Sequence, residues 1–226
     1  DHTQSESERA ARQLIRTERV QGSVQQWLPG YKKELKAVES LRLEHIPSPA
    51  AEVKKAAVRM RMQLKHKKDG HRKGQLILQG FREPRSWDVG SNDSPVAAMA
   101  TIRTLLFMAG LVGDVISSID VSTAFLQSNG YPSDHPARYV YYQPHKEGHR
   151  YYYRLKGCLY GQRSAPMAWY NTLTEWLEGQ GFVPGKNDQS AEGMVLKKPT
   201  TSSLQSSSSS FILLFCLLVM GVLLLL

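Results

Sequence analysis

The sequence predicts an α+β fold. Three observations lead to it: a stretch in which apolar and basic residues alternate strictly, two tyrosine-rich runs of strand composition, and segments whose apolar residues recur at helical spacing. In the alternating stretch Val58, Met60, Met62 and Leu64 interleave with Arg59, Arg61, Gln63 and Lys65. That is a half-buried strand with a basic outer face.

In chain order, residues 1–26 are charged and weakly amphipathic and read as a flexible or frayed helical segment, with no apolar leader run. Over residues 27–44 a helix is expected, with Leu35, Val38 and Leu41 on one face, ended by Pro47 and Pro49. The basic strand follows. Lys67, Lys68, Asp69 and Gly70 form a hairpin turn signal, and Gln75 to Leu78 return as the second strand until Gly80 breaks it.

Ser91 to Pro95 read as a helix start, with Ala98, Ile102, Leu105, Leu106 and Ala109 as its buried stripe and Gly110 as its C-terminal cap. A strand is expected around Asp120, with Ile119 and Val121 on one side and Ser118, Asp120 and Ser122 on the other. Tyr139–Tyr142 and Tyr151–Leu155 read as two strands. Ser164 starts a helix with Trp169, Leu173, Trp176 and Leu177 on one face, ended by Gly179 or Gly181. Residues 193–210 are a low-complexity, serine-rich linker. Residues 211–226 are an apolar tail, read as a helix outside the domain. At 16 residues it would reach roughly 24 Å, against about 30 Å of bilayer hydrocarbon, so a membrane segment is one reading of it.

The formal charge of +9 favours an anionic partner, nucleic acid or a membrane surface. It is concentrated: residues 54–73 hold nine Lys or Arg against one acid, Asp69. Arg59, Arg61, Lys65, Lys67 and Lys68 are the candidate nucleic-acid contacts. A solvated edge hairpin that carries cations against edge pairing explains the same residues. Two cysteines, Cys158 and Cys216, in unlike contexts argue against a disulfide framework or a disulfide-linked partner and fit a reducing, intracellular setting. His145 and His149 lie four apart in a loop without further ligand spacing, which points away from a metal site.

Asp120 is the candidate catalytic residue. A carboxylate between Ser118 and Ser122 leaves room for an ion and a phosphate, and Phe125 could wall that room. Two-metal phosphoryl transfer needs several carboxylates around ions about 3.5–4 Å apart. No Asp or Glu occurs in the 34 residues after Glu192.

Five pieces in order resemble the reverse transcriptase of copia-type LTR retrotransposons: Lys33-Glu34-Leu35-Lys36; Lys67-Lys68-Asp69-Gly70 with Gln79-Gly80-Phe81; Ser94-Pro95-Val96 with Thr101-Ile102-Arg103; Ile119-Asp120-Val121 with Ala124-Phe125-Leu126; and Leu159-Tyr160-Gly161 with Ala165-Pro166 and Trp169-Tyr170. The resemblance spans about 27–192. It implies a fingers subdomain and a partial palm, RNA-directed DNA synthesis as the family activity, Mg²⁺ as cofactor and an RNA or DNA template–primer as partner.

By that resemblance Asp120 would hold both ions and the Val121 carbonyl one of them. Phe125 would lie under the sugar and exclude a 2′ hydroxyl. Gly161 and Gln162 would let backbone approach the nascent base pair, and Arg72 and Lys73 would cover the triphosphate. The family's usual Arg is Gln75 here. Its third box, a strand–turn–strand with two adjacent Asp, has no counterpart in residues 193–226, which implies an inactive, truncated polymerase. The rival readings are a non-enzymatic basic nucleic-acid-binding remnant and a tail-anchored membrane protein.

Overall fold

A strand buries every second side chain and a helix buries a stripe that recurs every three to four residues. A computed structural model of the chain describes residues 4–67, 70–88, 92–95, 98–113, 117–131, 134–184, 194–196, 214–217 and 222–225. Lys68, Asp69 and the serine run at 206–210 lie outside the described residues. The helices are α1 (Gln4–Thr17), α2 (Val24–Arg42), α3 (Ala51–Ala56), α4 (Met99–Val112), α5 (Ala124–Gln127) and α6 (Ala165–Gly179). The strands are β1 (Leu43–Ile46), β2 (Val58–His66), β3 (Arg72–Leu78), β4 (Ser117–Asp120), β5 (Tyr139–Tyr142), β6 (Tyr151–Leu155), β7 (Phe182–Pro184), β8 (Met194–Leu196), β9 (Leu214–Leu217) and β10 (Val222–Leu225). Two units form, residues 1–90 with 129–165 and residues 91–128 with 166–226.

The first unit is built on a five-stranded sheet in the order β1-β6-β5-β2-β3. β2 runs parallel to β5, and the other neighbours pair antiparallel. The alternation read from the sequence holds: Val58, Met60, Met62 and Leu64 are buried, as are Leu76 and Leu78 opposite Met62 and Met60. β3 starts at Arg72, three residues before the expected Gln75.

α2 supplies the other side of this core through Trp27, Tyr31, Leu35 and Val38, and the Tyr31 and Tyr142 hydroxyls share a buried 2.9 Å hydrogen bond. Leu41, expected on the buried face, is 49% exposed, and Arg42 is buried instead. Steps of three residues drift about 60° around a helix, whereas 31, 35, 38 and 42 stay in line.

α2 also holds the sheet's edge. A Cβ at Gly30 would lie 2.5 Å from the Arg72 carbonyl oxygen, so helix and strand meet backbone to backbone. One turn on, the Leu76 N–H of edge strand β3 donates to Glu34 Oε1 at 3.0 Å.

In the second unit β4, β10 and β9 form a three-stranded antiparallel sheet, and β7 pairs with β8. Trp169, Leu173 and Leu177 of α6 form a core with Phe182. Trp176, expected on that face, is one position off the 169–173–177 line and is 56% exposed. α4 begins at Met99, after an extended Ala98, and residues 92–95 are not helical. The Ser-Pro signal is equally a turn signal. α4 closes at Gly113, whose φ of 74° is left-handed, rather than at Gly110. Within its stripe Ala109 is buried, but Leu106 is exposed.

Of the tail, residues 214–217 and 222–225 are described, as the strands β9 and β10, paired with each other and with β4; the rest of the expected 211–226 helix lies outside the described residues. A continuous apolar run does not by itself tell helix from strand, and Gly221 divides this one. Among the described residues no helix is long and apolar enough to cross a membrane.

Glu34 gives a test of the edge contact. Burial raises its carboxyl above the ordinary range; the Leu76 N–H and the Lys73 charge oppose this less strongly. The folded state therefore binds this proton more tightly than the unfolded state. The resulting stability is present below the unfolded value and is lost as pH rises through the raised folded value. Glu34→Gln keeps an acceptor for Leu76 and removes the ionisation. Its urea-unfolding stability should lose that part of the pH dependence. Glu34→Ala, equally neutral, should be about 1–3 kcal/mol less stable than Glu34→Gln because the buried N–H loses its partner. Equal stability of the two variants would show that the hydrogen bond does not hold the edge.

Candidate functional site

The basic surface arises from strand register. Across the β2–β3 hairpin Arg61 faces Ile77, Gln63 faces Gln75, and Lys65 faces Lys73. Directly opposed residues share a sheet face, so two like charges sit side by side at Lys65 and Lys73, a repulsion that Glu34, near Lys73, offsets in part. Lys65 and Lys67 are exposed. Arg61, whose side chain is 55% exposed, is 3.6 Å from the largely covered Glu18, so its guanidinium stays wet. Arg59 is half-buried between Val58 and Met60. The turn is closed by Lys67 N–H donating to the His71 carbonyl at 2.9 Å and Gly70 N–H donating to the Lys67 carbonyl at 3.0 Å.

The two residues expected over the triphosphate part company. Neighbours in a strand point to opposite faces. The Arg72 guanidinium lies 5.7 Å from the Trp27 ring, which His66 meets edge-on from 4.7 Å. Lys73 lies 5.9 Å from the Tyr160 ring, whose hydroxyl burial pushes up to about 12.

The segment Leu159-Tyr160-Gly161-Gln162 is fastened to the end of β3. Leu78 N–H donates to the Tyr160 carbonyl at 2.8 Å. Gly161 has a φ of 81°, and a Cβ there would collide with Ile77 Cγ2 and the Leu78 carbonyl. A Cβ at Gly80 would in turn strike the Gly161 carbonyl. Gln162 is buried, and its Oε1 accepts from Leu159 N–H at 3.1 Å. Both residues thus have packing roles within this unit.

A charge network went unseen in the sequence because its members lie some 80 positions apart. Arg163 reaches Asp88 at 3.1 Å, Glu83 at 3.7 Å and the Glu83 carbonyl at 3.1 Å. Burial raises the Glu83 carboxyl, against the Arg163 N–H and the charges of Arg163 and Arg138. Arg138, also buried, donates to the Trp87 carbonyl at 2.7 Å and lies 4.0 Å from the Tyr131 ring.

Asp120, Val121 and Phe125 belong to the second unit. Asp120 is the last residue of β4, and the expected strand does not continue through Ser122. The chain turns at Ser122 and Thr123, where Thr123 has a φ of 54°, and enters α5. The turn is fixed by Gln127 Nε2 donating to the Ser122 carbonyl at 2.6 Å and Ser128 Oγ donating to the Phe125 carbonyl at 2.8 Å. Val121 and Phe125 pack against the Trp169, Leu173, Leu177 and Phe182 core.

Mg²⁺ prefers carboxylate and other hard oxygen donors in octahedral geometry. Asp120 brings one carboxylate and Val121 one carbonyl. The strand paired with β4 puts Val222 in register with Asp120 and Leu223 with Ile119, residues with no oxygen in the side chain. Among the described residues this donor set does not fit a two-metal centre. Among the described residues no three His, Cys, Asp or Glu side chains cluster as a metal cage.

The sequence model of a family described as reverse transcriptase (RNA-dependent DNA polymerase) matches residues 41–204. Similar curated proteins include the retrovirus-related Pol polyproteins from transposons RE1 and RE2 of Arabidopsis thaliana. They are 29% and 30% identical over 151 residues, 64% of this chain and 10% of each relative. The corresponding protein from transposon TNT 1-94 of Nicotiana tabacum is 28% identical over 129 residues, 55% of this chain and 10% of the relative. The chain thus spans about a tenth of the length of the curated relatives it matches. No solved structure matches it.

Gly161→Ala separates packing from a substrate-side role. The collisions and the left-handed φ should together cost about 2–4 kcal/mol, read as a lower thermal midpoint and faster exchange of the Leu78 amide. Unchanged stability would mean that the loop yields, and that the glycine serves something other than packing.

Proposed function

Because the chain belongs to the reverse transcriptase (RNA-dependent DNA polymerase) family, we propose that it is the part of a transposon Pol polyprotein that grips a primer–template and that, by itself, it synthesises no DNA. The observation that carries the first half is the Lys65–Lys73 pair on the β2–β3 hairpin, flanked by Arg61 and Lys67. Glu34 lies near Lys73 alone; a polyanion would relieve the repulsion along the whole row of cations, and the phosphate backbone supplies one charge every few ångströms. Arg59, Arg61, Lys65, Lys67 and Lys68 then follow the backbone without reading sequence.

The second half rests on the donor set. In-line phosphoryl transfer is catalysed by positioning and charge neutralisation, in which metal ions bridge the reacting oxygens. One carboxylate, Asp120, with no acid after Glu192 and an apolar strand beside it, does not provide that clamp. Removing such charge stabilisation costs several kcal/mol of the barrier, and each 1.36 kcal/mol is tenfold in rate. The hairpin's role and the roles of Phe125, Gly161, Gln162, Arg72 and Lys73 toward nucleotide belong to this proposal.

Two measurements on the full chain test it. Affinity for a labelled primer–template should fall steeply between low and moderate salt, and the salt slope should shrink when Arg59, Arg61, Lys65 and Lys67 become Ala. Labelled deoxynucleotide incorporation with Mg²⁺ or Mn²⁺ should be nil. Salt-independent binding would sink the first half; incorporation that vanishes in Asp120→Ala would sink the second.

A further inference from the structure

α1 carries Arg9, Arg12 and Arg16, all exposed. Spacings of three and four residues put them on one helical face, over a length of about 10 Å. Facing them across a cleft of about 350 Å³ are His145, Lys146 and Glu147 of the β5–β6 loop. The cleft therefore gathers four firm cations against one carboxylate. The residues matched by the family begin at 41, so α1 lies outside that match.

The cleft is built rather than incidental. α1 buries Ala10 and Ala11. Inward contacts engage two of the three acids in residues 4–18, Glu6, Glu8 and Glu18: Tyr151 donates to Glu6 Oε2 at 2.6 Å, and Leu64 N–H donates to Glu18 Oε2 at 3.2 Å. The loop is tied to the helix by Lys146 N–H donating to Gln13 Oε1 at 2.9 Å. Glu6 and Glu18 are turned to the sheet, and Glu8, one turn before Arg12, offsets part of the charge, so the cleft retains a surplus of positive charge. Arg12 and Arg16, four apart, repel each other unless an anion lies between them.

We infer that this cleft is a second phosphodiester-binding site, which holds a single nucleic-acid strand through Arg9, Arg12, Arg16 and Lys146. Guanidinium groups match phosphate with paired hydrogen bonds. A bilayer is the weaker partner for this surface: membrane-bound helices present Trp, Phe or Leu to the acyl region, and α1 has no exposed large apolar side chain among its described residues. The inference rests on the nucleic-acid-binding reading above and adds a site that the hairpin does not contain.

The test uses the full chain and a fluorescein-labelled 20-nucleotide single-stranded RNA across a salt series. It compares wild type, the triple variant Arg9→Gln/Arg12→Gln/Arg16→Gln, the charge-preserving triple Arg→Lys variant, and the hairpin variant with Arg59, Arg61, Lys65 and Lys67 changed to Ala. Far-UV circular dichroism checks each fold. The Gln triple should bind about tenfold or more weakly at low salt, with a log–log salt slope smaller by about 2. The Lys triple should retain most of the slope, and Gln triple and hairpin variants combined should lose more than either. If wild type binds no RNA, the nucleic-acid reading itself falls. If wild type binds, the hairpin variant weakens and the Gln triple keeps wild-type affinity and slope, the cleft alone is refuted. Loss of binding to phosphatidylserine vesicles by the Gln triple, with RNA binding intact, would assign the cleft to a membrane surface instead and overturn the inference.

Discussion

The first unit depends on how one sheet edge is held. β3 is an edge strand, and an edge left open offers its N–H and C=O groups to any passing strand. Here α2 lies against it so closely that Gly30 touches the Arg72 carbonyl, and the Glu34 carboxylate takes the Leu76 N–H. A carboxylate that is 6% exposed is a costly acceptor. It is tolerated because the N–H it satisfies is also buried, and because Lys73 lies close enough to offset part of its charge. The edge is thereby closed on the side of α2, while the alternate side chains of β2 and β3 remain turned to solvent with their cations.

That arrangement fixes what the hairpin can do. With the even-numbered residues from Val58 to Leu64 committed to the core, Arg59, Arg61 and Lys65 fall on the opposite face. A slip of one residue would exchange the two sets. The same register sends Arg72 to Trp27 and Lys73 to Lys65 and Tyr160. The Tyr160–Gly161 loop is locked to the far end of β3, so the conformation of one sequence box is set by the backbone of another, 80 positions away.

The sequence made the first unit legible where periodicity was strict. β2, β5, β6 and the turn at Gly70 follow from alternation and turn chemistry alone. Legibility ended where the answer depended on partners distant in sequence. Leu41 and Trp176 look like stripe members, yet one position around a helix is about 100°, and only tertiary packing decides which neighbour is buried. The Glu83–Arg163–Asp88 cluster has no local signature. The α1 arginines were visible as charge at helical spacing but not as one wall of a cleft, because the β5–β6 loop that completes it comes some 130 residues later. In the second unit the apolar tail was ambiguous in kind, since composition told neither helix from strand nor surface from sheet.

Phosphate binding and metal catalysis respond differently to losing residues. Binding a polyanion is graded: each cation removed lowers the salt slope by roughly 0.7–0.9 and leaves the others working. On the proposed reading, Arg61, Lys65, Lys73 and the cleft on α1 would contribute independently, and Gln75 in place of a basic residue would weaken such a surface without abolishing it. A two-metal centre is close to all-or-none, because the ions act through their mutual distance and shared ligands. β4 ends in Asp120 and pairs with Val222 and Leu223, whose side chains carry no oxygen, so its sheet partner adds no ligand. The sheet needs only backbone hydrogen bonds and apolar surface, which β9 and β10 supply. On the proposed reading, phosphate binding without two-metal chemistry is a consistent pair of properties for one chain, because the two make different demands on the residues present.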